Sequence, residues 1–269
     1  MPTLLKAAVL GVIQGLFEFL PVSSTAHLLL AARALGYDDP GGVFTVMIQL
    51  GSILAVVWLY RAKLAAVLAG LPSQPGARRF VLMVGLATVP LLAAGALFSS
   101  FVKSVLYGSI IIIAISFIVG GIVMLIVERL RPPSTVHEVD RTSAAQALAI
   151  GVGQVLALIP GVSRSGSTMV VGMVAGLDRP TAAEFSFFVA IPVLLSATAY
   201  ELWKERAAIA QFDPVPLTIA CVVSFVSALL AVKFLIRFVS RHSFAAFAWY
   251  RIVFGAVILV TAWTGLVKW

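Results

Sequence analysis

Two stretches of this chain gather polar side chains inside apolar surroundings. The first reads Gln14-Gly-Leu-Phe-Glu18-Phe-Leu-Pro-Val-Ser-Ser-Thr-Ala-His27, and the second Pro160-Gly-Val-Ser-Arg-Ser-Gly-Ser-Thr168. Gln14 and Glu18 are four apart, which puts them on one helix face. Glu18 could act as a general base, or hold a metal with Gln14 as a neutral oxygen partner. Pro21 ends that helix. Ser23, Ser24 and Thr25 are natural caps for the next one, whose first N–H groups can receive an anion. His27, one turn beyond the hydroxyls, could serve as nucleophile or acid/base group. In the second stretch Arg164 offers a guanidinium fork that matches phosphate geometry, with hydroxyls on both sides from Ser163, Ser165, Ser167 and Thr168. Each residue also has a plainer role, as a paired carboxylate, a cap, a packed imidazole or a snorkelling cation. Their clustering favours function.

The clustering matters because of what surrounds it. The chain has 269 residues, of which 61% are hydrophobic and 11% charged. Average soluble domains carry about 45–50% apolar and about 25% charged residues. An integral membrane protein follows, and ordinary soluble, fibrous and disordered classes are excluded. A charge at the bilayer centre costs about 2.5–3.5 kcal/mol on insertion scales, so each intramembrane polar group calls for a reason. The net charge of +8 fits retention of Lys and Arg in cytoplasmic loops better than a nucleic-acid partner. Cys221 is the single cysteine, so no intrachain disulfide and no thiol mechanism is expected. The first apolar stretch, interrupted by Gln14 and Glu18, does not read as a cleaved signal.

Six segments are apolar enough to span a bilayer, near 43–60, 80–98, 107–127, 183–200, 215–236 and 246–267. Two more regions, about 4–30 and 144–176, are broken in the middle by the two polar stretches. Irregular backbone at membrane depth survives where protein or a watery cavity satisfies it, so each broken region is expected to enter and leave on one side as a helical hairpin. The fold expected is an all-α polytopic membrane protein built as a single domain over 1–269. It divides into two inverted-topology repeats, about 1–130 and 140–269, each a re-entrant hairpin plus three transmembrane helices. Gly11, Val12, Gln14, Leu16, Val22 and Ser23 recur 140 residues later as Gly151, Val152, Gln154, Leu156, Val162 and Ser163. Three spans per half is odd, which demands the inversion. Paired discontinuous helices point to a binding site near the membrane midplane.

The charges agree with that topology. Arg61, Lys63, Arg78 and Arg79, then Arg129, Arg131 and Arg141, then Arg237 and Arg241 fall in loops on one side. Arg33, Lys103, Lys204 and Arg206 fall on the other, the last two beside Glu201 and Glu205. The positive-inside rule puts the first set in the cytoplasm and both termini outside. Asp178-Arg179-Pro180 reads as the cap of the following span, and Glu184 could support Arg164 or equally be a helix-start charge. The resulting cleft, basic and hydroxyl-rich with a carboxylate and an imidazole, suits a phosphate or diphosphate carried on a lipid.

The two polar motifs resemble the signatures of the bacterial undecaprenyl-diphosphate phosphatases, the BacA/UppP family, also known for bacitracin resistance. Glu184-Phe-Ser-Phe-Phe-Val-Ala-Ile-Pro192 and Ile48-Gln-Leu-Gly-Ser-Ile-Leu-Ala55 resemble further family segments in the same order. The resemblance implies a hydrolase acting on a phosphoric anhydride, which converts undecaprenyl diphosphate to undecaprenyl phosphate and inorganic phosphate. It thereby recycles the lipid carrier of cell-wall synthesis. The resemblance also implies a divalent cation, Mg2+ or Ca2+, with Glu18 as its candidate ligand. It implies a multi-pass protein of the bacterial cytoplasmic (inner) membrane, with a site facing the periplasmic side, competition by bacitracin for the substrate, and room for a homodimer. The motif residues map onto Gln14, Glu18, Ser23, Ser24, Thr25, His27, Ser163, Arg164, Ser165 and Thr168. Among these Glu18, Ser24, His27 and Arg164 are the catalytic candidates, the remainder, together with Arg164, being expected to bind substrate. The attacking group could be Ser24, His27 or an activated water. Because Gln14 is an amide where the family also uses Glu, base or metal work falls mainly on Glu18. The rival reading is a lipid-phosphate flippase or inverted-repeat secondary transporter using the same cleft.

Overall fold

A computed structural model describes residues 3–39, 42–102, 109–204, 206 and 213–265. Lys103 and Glu205, part of the charge argument above, lie outside the described residues. The described chain is helical with no strand longer than the isolated bridge between Val136 and Leu177.

The first broken region forms α1 (Thr3–Phe17) and α2 (Ser24–Leu35), separated by an irregular turn at 18–23. At about 1.5 Å per residue α1 reaches about 22 Å, short of a hydrocarbon core of about 30 Å. The second broken region forms α7 (Ala144–Gln154), a 3-10 turn (Val155–Leu158) and α8 (Arg164–Val174). Between them lie α3 (Val43–Leu59), α4 (Arg61–Gly70), α5 (Pro75–Phe101) and α6 (Ile110–Leu130). After them come α9 (Arg179–Lys204), α10 (Pro214–Val239) and α11 (Ala245–Thr264). Five of these helices are long and apolar enough to cross a membrane, and α3 with α4 makes a sixth span if the bent pair is taken together.

That bend corrects one expectation. Arg61 and Lys63 sit in a helix rather than in a loop: α4 leaves α3 at 74°. Arg61-Ala-Lys-Leu-Ala-Ala-Val-Leu-Ala is made of strong helix formers, so the helix continues past the end of the apolar run. Its two cations hold it at the end of the bundle instead of letting it run on into the bilayer.

Helix ends follow local chemistry. Ser143 and Gln146 form a capping box at the start of α7. Asp213 accepts from the Val215 N–H ahead of α10, with Pro214 in the first turn. Asp178 caps α9 through the Thr181 N–H at 2.8 Å, as the sequence suggests.

Small residues let the helices approach closely, which is how membrane helices gain packing without a hydrophobic drive between them. Gly11 and Gly15 set α1 against the α10 backbone at Ala220 and Ser224, and Gly151 sets α7 against α5 at Ala87. The first arm of each hairpin thus packs on a long helix of the other half of the chain. α3 packs with α9, and α6 with α11. Around the hairpins lies a core of Phe19, Phe185, Phe187, Phe188, Met169 and Met173. At one end of the bundle Lys63 pairs with Asp140 at 2.9 Å, Arg79 bonds the Thr142 carbonyl at 2.9 Å, and Arg179 pairs with Glu128 at 2.6 Å. The basic segments therefore share that end, although Arg78 and Arg79 lie inside α5, Arg129 inside α6 and Arg237 inside α10 rather than in loops.

Candidate active site

The two hairpin turns meet. Glu18, closing the first arm of one hairpin, pairs with Arg164, opening the second arm of the other: Arg164 Nη2 donates to Glu18 Oε1 at 2.9 Å. Ser165 Oγ reaches across to the Leu20 carbonyl at 2.9 Å. Between the turns is a small polar cavity of about 80 Å3, lined by Glu18, Ser23, Ser24, Thr25, Gln49, Ser163, Arg164 and Ser165 among others.

Both helix N termini aim at this cavity. Ser23 and Ser163, each the residue before its helix, hold φ at 69° and 76°, the only non-glycine residues in the left-handed region among the described residues. This conformation swings the chain sharply from one arm into the next. Ser163 Oγ accepts from the Gly166 N–H at 3.1 Å, while Ser23 makes no such cap. The first amides of α2 and α8, at Ser24, Thr25, Arg164 and Ser165, have no acceptor among the described residues. Four free N–H groups and a guanidinium facing one cavity form an anion cradle.

Glu18 is the hub. Its Oε2 accepts from Ser24 Oγ at 2.7 Å and from Gln14 Nε2 at 2.9 Å. A hydroxyl donating to a buried carboxylate has the arrangement that an activated nucleophile and its base require. Arg164 also donates through Nη1 to the Ser186 carbonyl at 3.2 Å, and Thr168 Oγ1 bonds Ser186 Oγ at 2.6 Å. Thr168 thus lies behind Arg164, fixing it rather than lining the cavity. The carboxylate that pairs with Arg164 is Glu18, not Glu184. Glu184 lies toward the basic end of the bundle, where it feels the charge of Lys63.

His27 is placed differently. Its Nδ1 lies 2.8 Å from the Ser23 carbonyl and its Nε2 2.6 Å from Tyr250 Oη. The ring stacks on Phe17 at 4.2 Å and on Phe254 at 4.8 Å. It does not line the cavity, and both ring nitrogens are engaged.

Gln14 Oε1 is buried without a hydrogen-bond partner, directly behind Glu18. An orphaned amide oxygen next to a carboxylate and a hydroxyl is a hard-oxygen donor set. These are oxygen donors of the kind a Mg2+-type ion takes, although Gln14 itself does not line the cavity. No group of three or more His, Cys, Asp or Glu side chains forms an all-protein cage among the described residues.

Three contributors escape motif reading. Tyr250 holds His27, and Ser186 holds Arg164 and Thr168. Arg251, fully buried on α11, is the third; a charge several residues inside the last apolar run was the available signal. Tyr250 had no signal, because an aromatic in a span is ordinary; Ser186 lies inside the Glu184–Pro192 segment quoted above but was not singled out within it.

Residues 7–257 match the family model described as "Bacitracin resistance protein BacA". The chain belongs to that family. Among its relatives, "Undecaprenyl-diphosphatase 2" of Rhodospirillum rubrum is 49% identical over 268 residues, covering 99% of this chain and 97% of the relative. "Undecaprenyl-diphosphatase" of Acidovorax ebreus is 47% identical over 268 residues with the same coverage. "Undecaprenyl-diphosphatase" of Nitrosospira multiformis is 48% identical over 267 residues, covering 99% and 97%. The BacA-family match covers both hairpin turns, so the cavity lies wholly within it.

Proposed function

We propose that this protein hydrolyses undecaprenyl diphosphate to undecaprenyl phosphate and inorganic phosphate. The observation that carries the reading is the Ser24–Glu18–Arg164 chain of contacts inside an anion cradle. A transporter needs the cradle but has no use for a hydroxyl held 2.7 Å from a carboxylate.

The diphosphate binds the free amides of α2 and α8 and the Arg164 guanidinium. Ser24 Oγ attacks the terminal phosphorus while its proton passes to Glu18 Oε2. The bond from that phosphorus to the bridging oxygen breaks, and undecaprenyl phosphate leaves with the electron pair. Arg164 and the helix amides stabilise the charge spread over the transferring oxygens. Water then attacks the phosphoserine, its proton passing to a phosphoryl oxygen, while Glu18 returns the proton it took to the departing Ser24 Oγ, releasing phosphate and restoring the serine. His27 holds the turn through the Ser23 carbonyl. Glu18 and Gln14 Oε1 would hold the divalent cation, whose contribution when bound is to neutralise phosphate charge.

A second cavity supports a lipid substrate. It has a volume of about 630 Å3, is mainly apolar, and runs between α5 and α9 past Leu91, Leu92, Val193 and Ala197. Arg164, Ala157 and Leu194 line it as well as the polar cavity. The headgroup site and a greasy groove therefore adjoin, as a prenyl diphosphate requires.

The two halves are read as inverted repeats. Support comes from the exchanged packing of α1 on α10 and α7 on α5, and from the matched left-handed turns at Ser23 and Ser163. With the Arg-rich end in the cytoplasm of the inner membrane, the site faces outward, and bacitracin competes by sequestering the diphosphate.

The test is phosphate release from undecaprenyl diphosphate by detergent-purified protein with Mg2+, Ca2+ or EDTA, beside Arg164→Ala. Wild-type release and loss of at least ~100-fold in Arg164→Ala are expected from removing a charge that stabilises the transition state. No release under any condition, with lipid flipping in liposomes, would replace this reading by transport.

A further inference from the structure

Arg251 is 1% exposed on α11, and its acceptors among the described residues are backbone carbonyls of α6 and of the two hairpin turns. Nη1 donates to the Pro21 carbonyl at 3.1 Å, and Nη2 to the Gly161 carbonyl at 2.9 Å and the Ser116 carbonyl at 3.0 Å. Nε points to the Phe117 carbonyl at 3.4 Å. Pro21 and Gly161 are corresponding residues of the two hairpin turns, each two positions before a left-handed serine. One guanidinium thus bonds the main chain of both turns.

The surroundings are shaped for it. A Cβ on Gly120 would collide with Nη2, and Gly161, at φ 92°, packs its backbone against Ile113 of α6. Desolvating a cation is expensive, and packing alone is served as well by an apolar side chain of similar volume. The planar fork with its five donors is what three separate chain segments need in order to be tied at one point. The neighbouring Tyr250 fastens His27, which in turn reaches the Ser23 carbonyl, so α11 grips the first turn twice.

We propose that Arg251 is a positioning residue for phosphoryl transfer: by drawing Pro21 and Gly161 together it sets the spacing of the two helix N termini that cradle the diphosphate. The inference rests on the phosphatase reading. Arg251 touches no reacting atom, and its effect passes through the turns. Misplacement by about 1 Å can cost about 100-fold in rate. The apolar tail supplies much of the ground-state binding, so the loss falls on kcat more than on KM.

The experiment compares wild type, Arg251→Lys, Arg251→Met and Gly120→Ala as purified full-length proteins. Phosphate release from undecaprenyl diphosphate gives kcat and KM, and thermal unfolding in detergent gives Tm. Gly120→Ala keeps the cation but pushes Nη2 off its two carbonyls, so it tests the geometry even if Arg251→Met does not fold. The expected result is a kcat lowered about tenfold in Gly120→Ala and Arg251→Lys and about 100-fold in Arg251→Met, with KM within about threefold, as a displaced cradle requires. Folded Arg251→Lys and Gly120→Ala that keep wild-type kcat and lose only Tm would overturn it, leaving Arg251 a stabilising residue. Absence of release from wild type would instead remove the phosphatase reading beneath it.

Discussion

Glu18 receives three donors, from Ser24, Gln14 and Arg164, through its two oxygens. Its proposed role as base and its pairing with Arg164 separate by substitution. Glu18→Gln keeps the shape but cannot accept the Ser24 proton, and turnover should fall by ~100- to 10,000-fold, as for loss of a general base. Ser24→Ala discriminates the nucleophile: near-complete loss of phosphate release is expected, whereas a residual rate within about tenfold of wild type would mean water attacks directly. Glu18, Ser24 and Arg164 were legible in the sequence because each interrupts an apolar run. Their mutual contacts were not, since 146 residues separate Glu18 from Arg164 and no spacing rule reaches that far. Arg251 went unread for a related reason. A cation near the start of a span looks like a topology signal until its acceptors, carbonyls of other segments, are known.

At the level of helices and turns, the two left-handed serines concentrate the strain. A non-glycine residue there costs about 1–3 kcal/mol and persists where the surroundings enforce it. Ser23 caps nothing, so Ser23→Gly should leave Tm within about 3 °C of wild type, strain relief offsetting the entropy gained by the unfolded chain. Ser23→Val, β-branched at positive φ, should lower Tm clearly and with it the yield of folded protein. Circular dichroism melts in detergent decide between these outcomes. Close helix contacts obey harder limits: Gly15→Leu would drive a side chain into the Ser224 and Ser227 region of α10, and loss of a monodisperse peak on size-exclusion chromatography is expected. The hairpins were readable from polar residues in mid-run, and the long helices from hydropathy. The bend into α4 was not, because Arg61 and Lys63 mark the end of a membrane span equally well before a loop or a helix.

Across the whole molecule, charge and connectivity set orientation and assembly. The Arg-rich end should face the cytoplasm. In a Cys221→Ala background, Asp38→Cys should react with an impermeant maleimide in intact cells and Arg241→Cys should not; the reverse labelling would invert the topology. At that same end burial works to raise the Asp178 carboxyl, but the Thr181 hydroxyl and amide and the His137 ring hold it below its ordinary value. A lowered carboxyl stabilises the fold above the unfolded value of about 3.9 and loses that contribution as pH falls through the folded value. Tm should therefore decline on acidification below about pH 4, and Asp178→Asn should flatten that decline. The ion pair between the two hairpins has a consequence of another kind, in the timing of synthesis. As the ribosome delivers the chain, Glu18 and Ser24 enter the membrane long before Arg164 exists, and Arg251 arrives later still. An interrupted or truncated product holds a carboxylate and hydroxyls without the cation that completes them. On the proposed roles, hydrolytic capacity thus waits for the second hairpin and α11 to follow the first, and the bilayer is spared a half-built hydrolase with access to its lipid carriers.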